Sequence, residues 1–196
     1  MVVKLQDCVK AQQNEAYAQK VKLTNLQQMA NTLIFLQENN YNSIEQLKGN
    51  YDNIMSTYNN LQTKRNCLNQ EIENLNKHIH YLGKYYANKQ YYTKMLQQKN
   101  PFAFRKMHLS EIEQYEEARK YLKFFYSSKP FPSLQEVQTQ RNNLKLEIKA
   151  LNKSIYTIWK NQKQLEVILF NTSELLYHYP PNHSLHSNNI IAQQYL

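Results

Sequence analysis

His78-Ile79-His80 is the first place along this 196-residue chain where residue types invite chemistry, because paired imidazoles hold metal ions. Spacing decides the matter. On a helix, residues two apart point roughly 200° apart, so one ion cannot take both rings. Helical metal pairs use spacings of three or four. His178, His183 and His186 lie toward the end of the chain with no cysteine beside them to complete a zinc set. Glu111, Glu113, Glu116 and Glu117 form an acidic cluster. Paired carboxylates do acid–base work only at a fixed separation in a cleft, and here they sit where a helix starts and favour its dipole. Sixteen tyrosines raise the question of a nucleophile. A tyrosine nucleophile needs a base or metal beside it, and no motif places one. No Gly-rich phosphate loop, nucleophile elbow or Cys-pair motif occurs. The expectation is a chain with no catalytic residue, no metal site and no cofactor.

A different chemistry is written between Lys77 and Lys106. This stretch carries seven Lys or Arg residues and no Asp or Glu, within a chain of net charge +9. Tyr81, Tyr85, Tyr86, Tyr91, Tyr92, Phe102 and Phe104 are interleaved with them. Cations attract phosphates and rings stack on exposed bases, so the segment suits a polyanion. The plainer reading is a lysine-rich solvated helix whose tyrosines pack on neighbours. The expected contact residues are Lys84, Lys89, Tyr91, Tyr92, Lys94, Lys99, Arg105 and Lys106.

The elements that must carry these residues are long. Apolar or aromatic residues return at alternating spacings of three and four at Ile44, Leu47, Tyr51, Ile54, Tyr58, Leu61, Leu68, Ile72, Leu75, Ile79, Leu82 and Tyr86, with Arg65 the one break. A second run follows at Val137, Leu144, Leu151, Ile155, Ile158, Leu165 and Leu169, with Ile148 in register and Arg141 and Gln162 as polar members. Such a 3.5-residue period specifies a helix with one narrow seam that must meet another.

Three capping boxes punctuate the pattern: Ser43 with Gln46, Ser110 with Glu113, and Ser133 with Glu136. They open a helix to about Gln98, a short helix over 110–126, and a helix to about Tyr177. Asn100-Pro101 is read as the stop of the first long helix, and Ser127–Pro132 as a turn or stiff link. Upstream, Leu23, Leu26, Met29, Ala30, Leu33, Ile34 and Leu36 follow helical spacing. Residues 1–22 are ambiguous, with Ala16, Tyr17 and Val21 able to share one helical face.

The predicted fold is all-α: a long antiparallel coiled-coil hairpin over 43–179 with a short helix at the tip, an N-terminal helical segment over 1–42, and a flexible tail over 180–196. Setting Leu96 opposite Val137 makes paired positions total about 233, which brings Arg65 near Glu166 and Gln162 near Ile72. A parallel homodimer is the rival pairing. No window is apolar enough for a membrane span, and the start lacks a signal peptide's apolar stretch. With only Cys8 and Cys67, and Cys67 off the seam, a reducing cytoplasm is the expected setting.

Read as text, several segments resemble a known family. Lys22-Leu23-Thr24-Asn25-Leu26-Gln27-Gln28-Met29-Ala30-Asn31-Thr32-Leu33, followed by Phe35–Asn39, is similar to a segment of relaxases, the mobilisation proteins of conjugative transposons and plasmids from low-GC Gram-positive bacteria. Lys77-His78-Ile79 with Tyr81 and Tyr85, then Tyr91-Tyr92, continues the likeness in order, as do Phe104-Arg105-Lys106 and the stretch Lys129-Pro130-Phe131-Pro132-Ser133-Leu134. The resemblance covers roughly residues 5–170 and implies the helical C-terminal region of such a protein. The family's nuclease domain, with its attacking tyrosine and metal-holding histidines, has no counterpart here, so no catalytic residue carries over. The chain departs from the family in being poor in Gly and Ala and rich in Asn and Gln. Met1 can be a genuine start, an internal start or a fragment boundary.

The function expected is therefore a non-catalytic DNA-mobilisation module, binding DNA and helping to assemble conjugative transfer proteins, as a folded-back monomer or a dimer. The competing expectation is a structural coiled coil that recognises proteins only.

Overall fold

The computed structural model describes residues 1–127 and 130–178. The fold is all-α, and every regular element among the described residues is helical. After a single 3-10 turn at Leu5–Asp7 come α1 (Val9–Gln13), α2 (Glu15–Glu38), α3 (Ile44–Gln97), α4 (Pro101–Met107), α5 (Leu109–Phe125) and α6 (Leu134–His178). The expected tail over 180–196, with His183 and His186, lies outside the described residues, as do 128 and 129 of the link before α6. Two compact units divide the chain. One holds Met1–Asn60 with the chain from Ser154 onward; the other holds Leu61–Lys153.

In the Leu61–Lys153 unit, Leu61, Arg65, Leu68, Ile72, Leu75, Ile79 and Leu82 of α3 are buried or half-buried, and Asn66, Cys67, Asn69, Gln70, Glu73 and Asn74 between them are exposed. The 3.5-residue period has thus produced its seam. The partner is α6, running the other way: Lys64 pairs with Glu147 at 2.8 Å, and Arg141 Nη1 donates to Asn76 Oδ1 at 3.4 Å.

Those two pairs total 211 and 217, so the expected register near 233 is corrected downward. The reason is α5. Its apolar face of Ile112, Tyr115, Ala118 and Leu122 is buried, with Leu122 in one core beside Leu82 and Val137. Val137 therefore packs with Leu82, and Leu96 stands 65% exposed. Glu166 pairs with its helix neighbour Lys163 at 2.8 Å.

The turn chemistry held at two of three boxes. At the start of α6 Ser133 N donates to Glu136 Oε2 at 2.8 Å and Glu136 N to Ser133 Oγ at 3.2 Å. At the start of α3 Gln46 N donates to Ser43 Oγ at 3.2 Å, and Gln46 Oε1 accepts from Asn42 N. The box at Ser110 does not form. α5 begins one residue earlier, and Ser110 Oγ accepts from Gln114 Nε2 instead. Asn100-Pro101 ends α3 and also opens α4: Asn100 Oδ1 accepts from Ala103 N at 3.1 Å, and Pro101 takes the first helical position, where its missing N–H has no cost.

In the other unit, Leu36 of α2, Leu47 of α3 and Leu165 and Ile168 of α6 form the core, with Phe35, Tyr41, Tyr51, Ile54 and Leu169 packed against it. The chain turns from α2 to α3 through Asn40 at φ 55°, a left-handed position that asparagine tolerates. Asn14 caps α2 by accepting from Tyr17 N, which resolves the ambiguous stretch before residue 22. The face α2 buries differs from expectation. Thr32 and Leu36 are its buried residues, while Leu23, Leu26 and Ile34 are exposed.

Candidate nucleic-acid interface

The basic stretch lies wholly in the Leu61–Lys153 unit, on the last turns of α3, the Gln98–Asn100 connection and α4. Helix α5 is laid along α3 by rings. Tyr81 stacks on Tyr121 at 3.9 Å, Tyr85 on Tyr115 at 5.0 Å and Tyr92 on Tyr115 at 4.5 Å. Asn88 Nδ2 adds a bond to Gln114 Oε1 at 3.3 Å. This docking brings the carboxylates of α5 against part of the acid-free stretch and sorts the six cations among the expected contact residues into two groups.

The first group is neutralised. Lys84 Nζ reaches Glu117 Oε2 at 3.0 Å. Arg105 grips Glu116 with both terminal nitrogens, at 2.8 and 2.7 Å. That bidentate bond, with the charge behind it, raises the Arg105 guanidinium above its already high ordinary value. The second group is Lys89 and Lys94 on α3, Lys99 in the connection and Lys106 on α4. All four are exposed, and none of them is in an ion pair among the described residues.

The two expected rings are spent on packing. Tyr91 leans on His108 at 5.1 Å, and Tyr92 lies between Tyr115 and the Arg119 guanidinium, 5.8 Å from its centroid. Phe102 is different: it stands 79% exposed at the start of α4. A ring open to a stacking base is therefore Phe102, beside Lys99 and Lys106 in sequence. The signal for it was the Asn-Pro dipeptide, which starts a short helix and leaves its second residue facing water.

His78 and His80 part company, as helical geometry requires. His78 Nδ1 lies 2.6 Å from Tyr126 Oη, and its ring is edged by Tyr121 and Phe125. Burial pushes the His78 pKa below the ordinary histidine value. His80 is exposed and touches Tyr81. Among the described residues no group of three His, Cys, Asp or Glu is placed to hold a metal ion.

The shifted phenols all move upward. Burial raises Tyr121 and Tyr126, and with help from Tyr85 it pushes Tyr115 up to about 12. Burial, then the neighbouring Tyr85 and Glu136, does the same to Tyr86. An activated nucleophile needs the opposite shift. These rings hold their protons and build a scaffold that presents cations.

No helix among the described residues is long and apolar enough to cross a membrane. Comparison with protein-family models, with curated proteins and with solved structures finds no match to this chain.

Proposed function

We propose that this chain is a non-catalytic DNA-binding module of the mobilisation kind, the helical C-terminal region of a relaxase or a free-standing remnant of one. It works in the cytoplasm beside other transfer proteins. The observation that carries the reading is the group of four exposed lysines, 89, 94, 99 and 106, which remain without ion-pair partners after α5 has neutralised Lys84 and Arg105. The order of segments that resemble relaxases supports it. Attachment is electrostatic, through phosphates, with Phe102 offering a stacking face to a base.

The test is fluorescence anisotropy with labelled DNA across a salt series. Four lysine–phosphate contacts give a log–log salt slope of roughly −3 to −4, so affinity falls steeply between about 50 and 200 mM salt. Replacing Lys89, Lys94, Lys99 and Lys106 together with Gln abolishes binding and leaves the melting temperature unchanged. Replacing Lys84 and Arg105 leaves the salt slope as it was. Absence of binding at the lowest salt defeats the proposal.

A second reading, a scaffold that recognises proteins only, is favoured by one feature of α2. Leu23 and Leu26 stand 61% and 63% exposed, and Ile34 lies exposed on the same side of the helix. Under that reading helical partners are retained on the immobilised protein, and the four-Gln variant retains them equally well.

A further inference from the structure

The unit built from Met1–Asn60 and the chain from Ser154 contains a polar device in a place that ordinarily takes leucine. Asn171, on α6, is 1% exposed, and Thr32, facing it from α2, is completely buried. Asn171 Nδ2 donates to Thr32 Oγ1 at 3.0 Å, and the threonine hydroxyl in turn donates a hydrogen bond to Gln28 O at 2.8 Å. This leaves Asn171 Oδ1, which accepts from the backbone N–H of Val2 at 2.9 Å. One residue on, Asn25 of α2 takes both backbone groups of Val3: its Oδ1 accepts from Val3 N at 2.9 Å, and its Nδ2 donates to Val3 O at 2.7 Å. Lys4 closes the row with an ion pair to Glu174 at 3.3 Å.

Burying an amide and a hydroxyl in a helix seam costs stability unless each is bonded. Here the bonds go to the main chain of an extended segment. An amide that grips both N–H and C=O of one residue reads backbone, so it serves any extended strand that fits, much as a sheet edge does. Side chains add two preferences. Val2 is the one buried side chain among residues 1–10, and Glu174 asks for a cation two residues later. Val3 and Lys4 are exposed. One buried side chain, three main-chain hydrogen bonds and one ion pair hold the segment. Beside it lies a cleft of about 710 Å³ lined by Leu5, Asn25, Met29, Ser173, Glu174 and Tyr177, among others.

We propose that the α2–α6 groove is a receptor for an extended peptide with an aliphatic residue two places before a lysine, and that Val2–Lys4 occupies it in cis as a latch. A partner strand of this pattern displaces the latch and takes over the Asn25, Asn171 and Glu174 contacts.

The test uses the full chain carrying V2D and K4E, which unseats the latch by burying a charge and repelling Glu174. The probe is a fluorescent peptide copying residues 2–7. The opened chain binds it at least about ten-fold more tightly than the wild type, whose own segment competes at high effective concentration. Adding Asn25→Leu removes the binding. Adding Glu174→Gln removes the preference for lysine, so that the peptide and a copy whose lysine is replaced by glutamine bind alike. If V2D disturbs the helices, Lys4→Glu alone takes its place.

A folded, opened chain that captures neither peptide overturns the proposal and leaves a structural brace. Equal capture by opened and wild-type chains also overturns it, because the groove would then not be filled in cis. Wild-type dimers that dissolve with Lys4→Glu would assign the strand to a second copy and overturn the cis latch.

Discussion

Within the Leu61–Lys153 unit, two stretches of the same helix pair behave differently. Where α3 meets α6 alone, Leu61, Leu68, Ile72, Leu144 and Ile148 are only half-buried, and Leu151 is buried but still 8% exposed. Where α5 joins them, Leu82, Leu122 and Ile112 are fully buried and Val137 is nearly so. Two helices meet along a line, and water reaches both sides of that line. A third helix closes one side, and the seam becomes a core. The period that specifies the seam is identical in both stretches, so pattern alone does not set burial; the number of neighbouring helices does. The three-helix end has ring-packed walls and carries Lys89 and Lys94 on α3, whereas the two-helix stretch offers a narrow seam and solvated flanks.

The strongest way to break the comparison is truncation on both sides of it. Leu82→Ala removes a fully buried side chain between three helices and costs about 3–5 kcal/mol of unfolding free energy. Leu68→Ala, on the same helix and at an equivalent seam position, costs about 1–2 kcal/mol, because its side chain already meets water. Urea denaturation followed by circular dichroism measures both. Equal losses would mean that α5 does not close the core, and the account of the ring-packed end would fail with it.

A smaller effect of opposite sign is expected from Arg65→Leu. Arg65 sits on the α3–α6 seam, and its Nε is buried without a hydrogen-bond partner among the described residues. Replacing it with an apolar residue raises stability by about 1 kcal/mol, since polar seam residues trade stability for register. The cost should appear in specificity. In sedimentation the leucine variant should populate additional oligomers or registers that the wild type does not. A variant that is less stable than the wild type would show that the arginine contributes favourable contacts, not register alone.

The seam was legible in the sequence because Leu, Ile and Tyr recur at threes and fours over long windows, and two of the capping boxes were legible because their bonds are local. Register was not. Sliding one seam past another by two or three heptads leaves every apolar position on the seam, and that is the size of the difference between about 233 and the observed totals. Only α5 breaks the degeneracy, by occupying the end of α3.

Helix α4 was hidden because Asn-Pro signals a stop, and the same dipeptide also caps and starts a helix. The inner face of α2 was hidden because it is built on Asn25, Thr32 and Leu36 while leucines face outward; a polar residue bonded to main chain leaves no apolar period. Among the interface residues, the excess of positive charge was visible in the sequence. Which lysines stay free was not, since Glu116 and Glu117 reach Arg105 and Lys84 only through tertiary packing.

The mildest probe of the three-helix end is pH. His78 is packed among Tyr121, Phe125 and Tyr126, and burial lowers its pKa in the folded chain below the ordinary 6.5. Between the folded and unfolded values the unfolded chain binds more protons, so stability rises with pH across that window. The contribution is fully present above about 6.5, fades as pH falls below it, and is lost once pH passes the folded value. His78→Gln retains a hydrogen-bonding group opposite Tyr126 and cannot titrate. Melting temperature plotted against pH should therefore slope downward on acidification in the wild type and more gently in the variant. The difference is small, because the ring is partly solvated and solvent screens its charge. Parallel curves for the two proteins would place the proton elsewhere and show that the aromatic wall around His78 admits more water than its packing implies.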